Sequence, residues 1–315
     1  MYSAKTTAPP KVTVGICVRN GEKFIEDAIN SLMLQDFPHD CIRVVFVDDG
    51  SEDKTLSIIQ RRAKSMDMTT VVQHTCWKGT GNARNMVIAN AEGDYILWLD
   101  ADMVFSRDYL SKLVDFMEQT PEAGITKGRV ALMPAGNLLA TLECYSRAVG
   151  KMVDYQSKKG RLKTMGTGGA LYRMKAIRMS GGFDVGLRGY NEDWDIELRI
   201  REAGWALHSI NVFCYDYERY GLTWKELWRR YWIRGYHTHY FLHKRRGLIK
   251  HYRNFPPAAF LFGLFSSFTL FKLTRNRAVF LMALPYTFKM IAWYIGFIRS
   301  HQDSYAPLVR ADQEK

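Results

Sequence analysis

Two carboxylates, Asp100 and Asp102, follow directly after a run of apolar residues in the stretch ILWLDAD at residues 96–102. In an extended chain, residues two positions apart point to the same side, so these like charges repel unless a cation lies between them. Carboxylate oxygens are ligands that suit Mg²⁺ or Mn²⁺, especially where substrate phosphates complete the coordination shell. A solvated turn at the end of a strand explains the same pattern, and the spacing alone leaves both interpretations open.

A second pair of carboxylates, Asp48 and Asp49, follows another apolar run in the stretch VVFVDDGSEDKT. An Asx turn or the N-cap of a following helix accounts for one of the two. The alternative is that a carboxylate here accepts hydrogen bonds from the N–H groups of a nucleobase. Asn20 and Glu22, which follow the first apolar run of the chain, are further candidates for binding a nucleotide sugar.

A third group of acids lies in the predicted helix Asn191–Ala203, in the stretch NEDWDIELRIREAGW. Asp195 and Glu197 each have an arginine four residues later, which is the spacing of a helix-stabilising ion pair. Glu192 and Asp193 have no such partner on their C-terminal side. Compensation of the helix dipole is one explanation for these two acids, and a catalytic role is the other.

These polar groups lie within a predicted alternation of strands and helices. The strands are predicted at residues 12–18, 43–47, 70–74 and 94–99, and the helices at 22–35, 54–63 and 82–91. Near-continuous apolar strands separated by helices indicate an α/β fold with a mostly parallel sheet covered by helices on both faces. Ligands of such sheets bind at the carboxyl ends of the strands, where the candidate residues lie.

Five segments of the chain, in this order, resemble the inverting family-2 glycosyltransferases of the GT-A fold. They are CVRNGEKFIEDAINSLMLQDF, VVFVDDGSEDKT, GNARNMVIANAEGDYILWLDAD, GTGGALYRMKAIRMSGGFD and NEDWDIELRIREAGW. The resemblance runs from about residue 12 to about residue 220. It implies that Asp48 or Asp49 contacts the base of a UDP- or GDP-linked sugar, and that Arg84 lies near the nucleotide or its phosphates.

The resemblance also implies a metal site. Asp102 would bind the divalent ion, Mg²⁺ or Mn²⁺, and Asp100 would lie near the ribose or sugar and beside the metal. Many relatives supply a further ligand from a His after the helix that carries the base. Here that region reads INVFCYDYERYG, so Asp216 or Tyr215 would take its place.

The same resemblance makes Asp193 the catalytic base, with Glu192 beside it. A positioned carboxylate can take the proton of an acceptor hydroxyl, and direct displacement then inverts the anomeric carbon.

Two further sets of residues are candidates for contacting the sugar nucleotide. Gly168 and Gly169 belong to the glycine cluster MGTGGALYRM, which lacks the pattern of a P-loop. Arg229 and Arg230 lie in LWRRYWIRGY and could reach the diphosphate, although a basic surface explains them equally. This stretch only partly matches the Gln-x-x-Arg-Trp pattern of some processive polysaccharide synthases, which argues against processive synthesis.

The 315-residue chain carries a net charge of +12, and the location of that charge favours a membrane over nucleic acid as the partner. Basic and aromatic residues interleave from Trp224 to Asn254, and two apolar stretches follow, Phe255–Leu273 and Ala278–Ile298. Each is about as long as a bilayer-spanning helix. Two spanning helices with both flanks cytosolic are the first expectation, helices lying in the interface the second, and a buried helical cap the third.

The predicted organisation has three parts. Residues 1–222 form the catalytic domain, 223–254 basic aromatic interfacial helices, and 255–315 the two apolar helices with a short tail. Five scattered cysteines without CxxC spacing, and an N-terminus without the pattern of a signal peptide, place the catalytic domain in the cytosol.

The predicted function is metal-dependent inverting transfer of a sugar to a hydroxyl of a lipid-linked or polysaccharide acceptor at the cytosolic membrane face. The alternatives are transfer to a polyprenyl phosphate, or a membrane-associated protein that binds nucleotide sugars without catalysis. Nucleic acid is not an expected partner.

Overall fold

The computed structural model describes residues 11–150, 154–157, 160, 163–187, 190–217, 220–245 and 255–304. They fall into two compact units. The first comprises Met1–Ala131, Val153–Arg188 and Glu192–Glu218, and the second comprises Leu132–Met152, Gly189–Asn191 and Arg219–Lys315.

The described chain contains eight strands and ten α-helices. The strands are β1 (Val12–Val18), β2 (Ile42–Asp49), β3 (Thr69–Thr75), β4 (Tyr95–Trp98), β5 (Met103–Phe105), β6 (Ala123–Val130), β7 (Ala170–Arg173) and β8 (Ala206–Asp216). The helices are α1 (Ile25–Met33), α2 (Thr55–Ala63), α3 (Thr80–Ala89), α4 (Tyr109–Gln119), α5 (Leu138–Gly150), α6 (Met174–Met179), α7 (Glu192–Glu202), α8 (Trp224–Lys244), α9 (Pro256–Thr274) and α10 (Ala283–Gln302).

All eight strands of the first unit form one sheet in the order β3-β2-β1-β4-β7-β6-β8-β5. The pairs β3/β2, β2/β1 and β1/β4 are parallel, as the alternation of strands and helices predicted, and β6/β8, which was not predicted, is also parallel. β7 runs antiparallel to both β4 and β6, and β5 runs antiparallel to β8. The α/β fold is confirmed, with a mixed sheet whose parallel half is the predicted one.

The core of this unit lies on both faces of the sheet, because successive strand residues point to opposite sides. In β2, Val44 and Phe46 pack into the cluster that includes α1 and α4, whereas Val45 and Val47 pack into the cluster with α3 and α7. A strand buried on both faces needs a continuous apolar run, which explains why the sequence shows no alternation there.

The predicted strand and helix positions are confirmed within a few residues up to β4. β1 has the predicted bounds, but β2 extends through Asp49, so Asp48 and Asp49 are the last residues of the strand. Oδ2 of Asp48 also accepts the N–H of Ser51 at 3.3 Å, the kind of local bond expected for one of the two acids. Between β4 and α7, the structure adds β5, α4, β6, α5, β7 and α6. No elements were predicted between β4 and residue 126, although the buried residues of α4 follow helical spacing: Tyr109, Leu110, Leu113, Val114 and Met117.

The second unit is helical. α8 begins at Trp224, and its N-cap residue Thr223 forms a capping box with Glu226. The predicted apolar stretch Ala278–Ile298 is divided into a 3₁₀ turn, Arg277–Met282, and the helix α10. The side chain of Asn276 caps the start of the turn by accepting the Ala278 N–H. α9 and the segment formed by the 3₁₀ turn with α10 are long and apolar enough to cross a membrane.

Candidate functional site

The carboxyl end of β4 brings Asp100 against the glycine cluster. A Cβ on Gly168 would lie 2.1 Å from Oδ2 of Asp100, so only glycine allows the loop to lie this close. The next residue, Gly169, has a φ of +77° and donates its N–H to the carbonyl of Trp98 at 2.7 Å. Tyr109 donates its hydroxyl to the Gly169 carbonyl, also at 2.7 Å. Strand and helix contacts therefore fix this loop beside the Asp100 carboxylate.

Arg84 connects the end of β4 to the first turn of α7. Its guanidinium donates to Oε1 of Glu192 at 2.7 Å and lies 3.9 Å from Oδ1 of Asp100. Both Arg84 and Glu192 are buried, and the guanidinium also lies over the rings of Phe183 and Trp98. Burial raises the pKa of Glu192 to about 7, although the charge of Arg84 opposes this shift. The predicted contact between Arg84 and a nucleotide stays a prediction.

Asp193 lies beside this ion pair, on the first turn of α7. Its side chain is half-buried, and its Oδ1 accepts the N–H of Trp194 at 2.7 Å. The bridge from Arg84 to Glu192 thus holds the turn that presents the predicted base. Its role as base stays a prediction.

The other two acids of α7 differ in their contacts. Asp195 pairs with Arg199 at 2.8 Å, which confirms the pair expected four residues apart. Glu197 instead accepts the N–H groups of Met165 at 2.8 Å and Gly166 at 2.7 Å. Burial, followed by the negative charge of Asp193, raises the pKa of Glu197 to about 7.

Lys127 binds the carbonyl groups of the same loop, whose N–H groups Glu197 binds. Its Nζ donates to the carbonyls of Met165 and Gly166 at 3.2 and 3.0 Å, and the side chain is buried. The sequence analysis missed this residue and the role of Glu197. A lysine in the middle of the apolar stretch AGITKGRV was the available signal, because a buried lysine needs polar partners.

The two acids that end β2 have different surroundings. The carboxylate of Asp49 accepts the backbone N–H groups of Lys78 at 2.9 Å and Gly79 at 3.1 Å, just before α3. Oδ2 of Asp48 lies 2.6 Å from Nδ1 of His74. Its Oδ1 is buried and has no hydrogen-bond partner among the described residues. The predicted contact with a nucleobase stays a prediction, and Asp48 is the acid with an unused oxygen.

Asn20 and Glu22 connect the loop after β1 to the loop after β2. Oδ1 of Asn20 accepts the N–H of Glu52 at 2.9 Å, and Oε2 of Glu22 accepts the N–H of Lys54 at 3.1 Å. Asn20 has a φ of +52°, a left-handed conformation that asparagine tolerates. The two residues therefore shape this edge of the sheet, and their contact with a ligand stays a prediction.

Two of the candidate metal ligands, Asp102 and Asp216, lie next to the pairing of β5 with β8. Met103 is opposite Asp216, and the carbonyl of Asp102 accepts the N–H of Tyr217 at 2.9 Å. Asp216 therefore lies across from the residue that follows Asp102. Within the described residues, no three His, Cys, Asp or Glu side chains converge as a metal site. The carboxylates of Asp100 and Asp102 still fit Mg²⁺ or Mn²⁺, provided that substrate phosphates complete the shell.

Arg229 and Arg230 belong to α8 of the second unit. Arg229 is exposed and Arg230 is half-buried. Their predicted contact with a diphosphate stays a prediction.

Comparisons with known sequences agree with the resemblance of the motifs. The model of glycosyl transferase family 2 matches residues 13–180. The chain is 33% identical to the poly(ribitol-phosphate) β-N-acetylglucosaminyltransferase TarS of Staphylococcus aureus over 109 residues, which are 35% of this chain and 19% of TarS. The probable glycosyltransferase YdaM of Bacillus subtilis is 25% identical, over 91% of this chain and 71% of YdaM.

Solved structures share the fold. The mannosyltransferase PcManGT from Pyrobaculum calidifontis, in complex with GDP-Man and Mn²⁺, has a TM-score of 0.64 at 20% identity, covering 94% of this chain and 88% of PcManGT. TarS 1–349 of S. aureus, in complex with UDP-GlcNAc, has a TM-score of 0.52 at 16% identity, covering 93% of this chain and 92% of that one. The GT-A fold is therefore confirmed, and the chain belongs to glycosyl transferase family 2.

Proposed function

We propose that this protein is a metal-dependent inverting glycosyltransferase. It moves a sugar from a UDP- or GDP-linked donor to a hydroxyl of a lipid-linked or polysaccharide acceptor, at the cytosolic face of a membrane. TarS and PcManGT support a nucleotide-sugar donor, because their structures contain UDP-GlcNAc and GDP-Man. The name of TarS supports a polymeric acceptor.

The position of Arg84 is the single observation that carries this proposal. It contacts Glu192 on the first turn of α7 and lies 3.9 Å from Asp100 at the end of β4. Arg84 thereby connects Asp100, a carboxylate suited to binding the metal of a metal–diphosphate complex, to the turn that carries Asp193. Donor binding and proton removal from an acceptor need such a fixed separation, because catalysis depends on holding the reacting groups in register.

The donor side of the site consists of the carboxylates at the ends of β4 and β8. Asp102 and Asp100 would hold a divalent ion, with Asp216 as the additional ligand. A bound Mg²⁺ or Mn²⁺ supplies charge neutralisation for the diphosphate leaving group. Asp48 offers its unused carboxylate oxygen to a nucleobase N–H, and the glycine loop packs against the Asp100 carboxylate.

Asp193 serves as the general base on the acceptor side. It takes the proton of the acceptor hydroxyl as the oxygen attacks the anomeric carbon from the face opposite the diphosphate. Glu192 is a positioning residue, because its carboxylate is engaged by Arg84. A single displacement of this kind inverts the anomeric carbon without a covalent enzyme intermediate.

The test is a donor screen with the purified full chain. Nucleotide release is measured with UDP- and GDP-sugars in the presence of Mn²⁺ or Mg²⁺, each with and without a membrane lipid extract. We expect release from one donor class, stimulated by lipid extract and abolished by EDTA. Absence of binding and release with every donor would contradict the proposal.

The acceptor class and the alternative functions are separated by the same assay. Transfer to a polyprenyl phosphate that survives Asp193→Asn indicates a phosphate acceptor, since an ionised phosphate needs no base. Nucleotide-sugar binding without metal and without turnover indicates a binding protein that lacks catalysis.

A further inference from the structure

The second unit presents a continuous apolar surface on α9. Ala259, Gly263, Ser267 and Leu270 form its buried stripe, and Gly263 packs against Ala283 at the start of α10. The opposite side exposes large apolar residues: Phe260, Leu261, Phe262, Leu264, Phe265 and Phe268. Phe265 is 68% exposed, although aromatic side chains of this size are normally covered. An exposed surface of this kind is typical of a site that meets a membrane or another protein.

The apolar surface continues beyond α9. Phe280 and Leu281 are exposed on the 3₁₀ turn Arg277–Met282, and Leu284 is 58% exposed at the start of α10. Further along α10, Ile291 and Ile298 are also exposed. Together, the exposed sides of α9, the 3₁₀ turn and α10 form one surface, the apolar face.

The inner side of α10 packs closely against α8. A Cβ on Gly235 would lie 1.9 Å from the carbonyl oxygen of Trp293, so the two backbones are nearly in contact. The pairing extends along both helices. Trp224 contacts Phe288 at one end, with ring centroids 4.9 Å apart. At the other end, His239 lies 5.4 Å from His301.

The charges of α8 decide how α10 can meet a bilayer. Lys225, Glu226, Arg229 and Arg234 are exposed along α8. Because α8 flanks α10 from Phe288 to His301, a bilayer-crossing α10 would carry these charges into the hydrocarbon. Each charge at the bilayer centre reduces insertion by roughly 100-fold. The helix pair therefore fits the surface of a bilayer rather than its interior.

Basic residues lie at both ends of α9. Lys272, Arg275 and Arg277 are exposed around its C-terminal end, next to the apolar face. In the sequence before α9, Arg245 at the end of α8 is a further cation, and Arg246, Lys250 and Arg253 lie outside the described residues. A spanning α9 would place one of these two clusters on the non-cytosolic side, against the usual distribution of Lys and Arg. An in-plane helix places both at the same layer of headgroups.

We propose that the apolar face lies in the plane of one leaflet of an anionic lipid bilayer, with both ends of α9 at the cytosolic headgroups and no helix crossing. Lys272, Arg275 and Arg277 then meet anionic headgroups, and the phenylalanines of α9 enter the acyl boundary. This inference rests on the membrane association in the proposed function. It adds that the apolar face binds an anionic lipid bilayer and that the helices lie in its plane.

Side-specific cysteine labelling of the full chain distinguishes the two modes. Asn276→Cys, in the connection after α9, and Gln302→Cys, at the end of α10, are each made in a Cys76→Ser background, because Cys76 is the exposed native cysteine of the described chain. Inverted and right-side-out membrane vesicles are treated with an impermeant maleimide. The chain that retains Cys76 reports the side of the catalytic unit.

We expect both variants to be labelled in inverted vesicles only, as Cys76 is. A hairpin of two spanning helices instead places position 276 on the outer side, so labelling of Asn276→Cys in right-side-out vesicles overturns the proposal.

Vesicle flotation tests the lipid partner. The full chain is mixed with vesicles of phosphatidylcholine alone, or with phosphatidylglycerol added. Replacing Lys272, Arg275 and Arg277 together by Ala removes three cations, and each contributes about fivefold to binding an anionic surface, so roughly 100-fold weaker binding is expected. The matched control replaces Lys23, Lys64 and Lys175, which are exposed on the first unit, and should bind as the unchanged chain does.

Two flotation results would overturn the inference. One is equal loss of binding in both triple variants, and the other is no binding of the unchanged chain to anionic vesicles. Nucleotide release from a soluble donor reports glycosyl transfer separately. If the chain releases nucleotide from the donor but does not float with vesicles, the glycosyltransferase proposal stands and the membrane proposal is wrong.

Discussion

Lys289 on α10 donates a hydrogen bond from Nζ to Oε2 of Glu143 on α5, across 2.7 Å. Both side chains are almost completely buried, at 3% and 1% exposure. The hydroxyl of Tyr231 on α8 donates to the other carboxylate oxygen of Glu143 at 2.8 Å. The carboxylate of Glu143 therefore connects three helices of the second unit. Lys289 lies in an otherwise apolar stretch, so the sequence alone does not indicate this contact.

Removing the cation of this pair should strongly destabilise the second unit. Lys289→Met leaves Glu143 buried without its opposite charge, which typically costs about 3–5 kcal/mol. Denaturant unfolding followed by fluorescence measures the change. The double variant Lys289→Met with Glu143→Gln should recover part of the loss, and exposed Lys272→Met is the control. Unchanged stability of Lys289→Met would contradict the role assigned to the pair.

Asp193→Asn tests the proposed base. We expect kcat for transfer to a hydroxyl acceptor to fall by about 10²–10⁴, because general-base catalysis contributes on this scale. Donor affinity, measured by calorimetry with metal present, should remain unchanged. Asp115→Asn, an exposed acid on α4, is the matched control. Full activity of Asp193→Asn would exclude Asp193 as the base.

Gly168→Ala tests the approach of the glycine loop to Asp100. The added Cβ would meet Oδ2 of Asp100 at 2.1 Å, so either the loop or the carboxylate must shift. A displacement of about 1 Å at a catalytic group can reduce turnover about 100-fold. When nucleotide release is titrated with metal, the variant should show lower turnover and weaker apparent affinity for the metal. Gly150→Ala is the control, because a Cβ at that position meets no atom within 4 Å; equal behaviour of the two variants would count against the contact.

The stabilising contribution of Glu197 and Glu192 should decrease as the pH rises from about 4.5 to about 7, whereas His237, whose pKa burial lowers to about 4, contributes in the opposite direction. Burial raises the pKa of Glu197 from 4.5 to about 7 in the folded state, and Glu192 shifts in the same direction. In this window each of these two carboxyl groups binds more protons in the folded than in the unfolded state, so its contribution to the free energy of unfolding falls with rising pH. For Glu197 alone the change amounts to about 3 kcal/mol.

Urea unfolding at pH 5 and pH 8 measures this dependence. Glu197→Gln should remove its contribution, so that stability at pH 5 relative to pH 8 falls compared with the unchanged chain, whereas Glu122→Gln, an exposed acid outside the site, should leave this difference unchanged. A profile of Glu197→Gln parallel to that of the unchanged chain would refute the assignment.

The sequence predicted the parts of the fold that depend on local patterns. The apolar run of β1 gave its bounds correctly, because a strand buried on both faces requires consecutive apolar residues. The pair between Asp195 and Arg199 was also predictable, since residues four apart lie on the same side of a helix. Between β4 and α7, the helix α4 also has apolar residues at helical spacing, whereas β5 and β7, with three and four residues, are too short for a periodic signal.

Tertiary structure decided which acids of the site are engaged and by what. Glu192 and Arg84 are 108 residues apart, and Glu143 and Lys289 are 146 apart, so no local pattern connects either pair. Glu197 had an arginine at the helical spacing, yet its carboxylate accepts the amides of Met165 and Gly166. Residue types and order determined the family and the candidate acids. The fold determined their partners, because a buried charge must be compensated by whichever polar groups the packed chain brings within hydrogen-bonding distance.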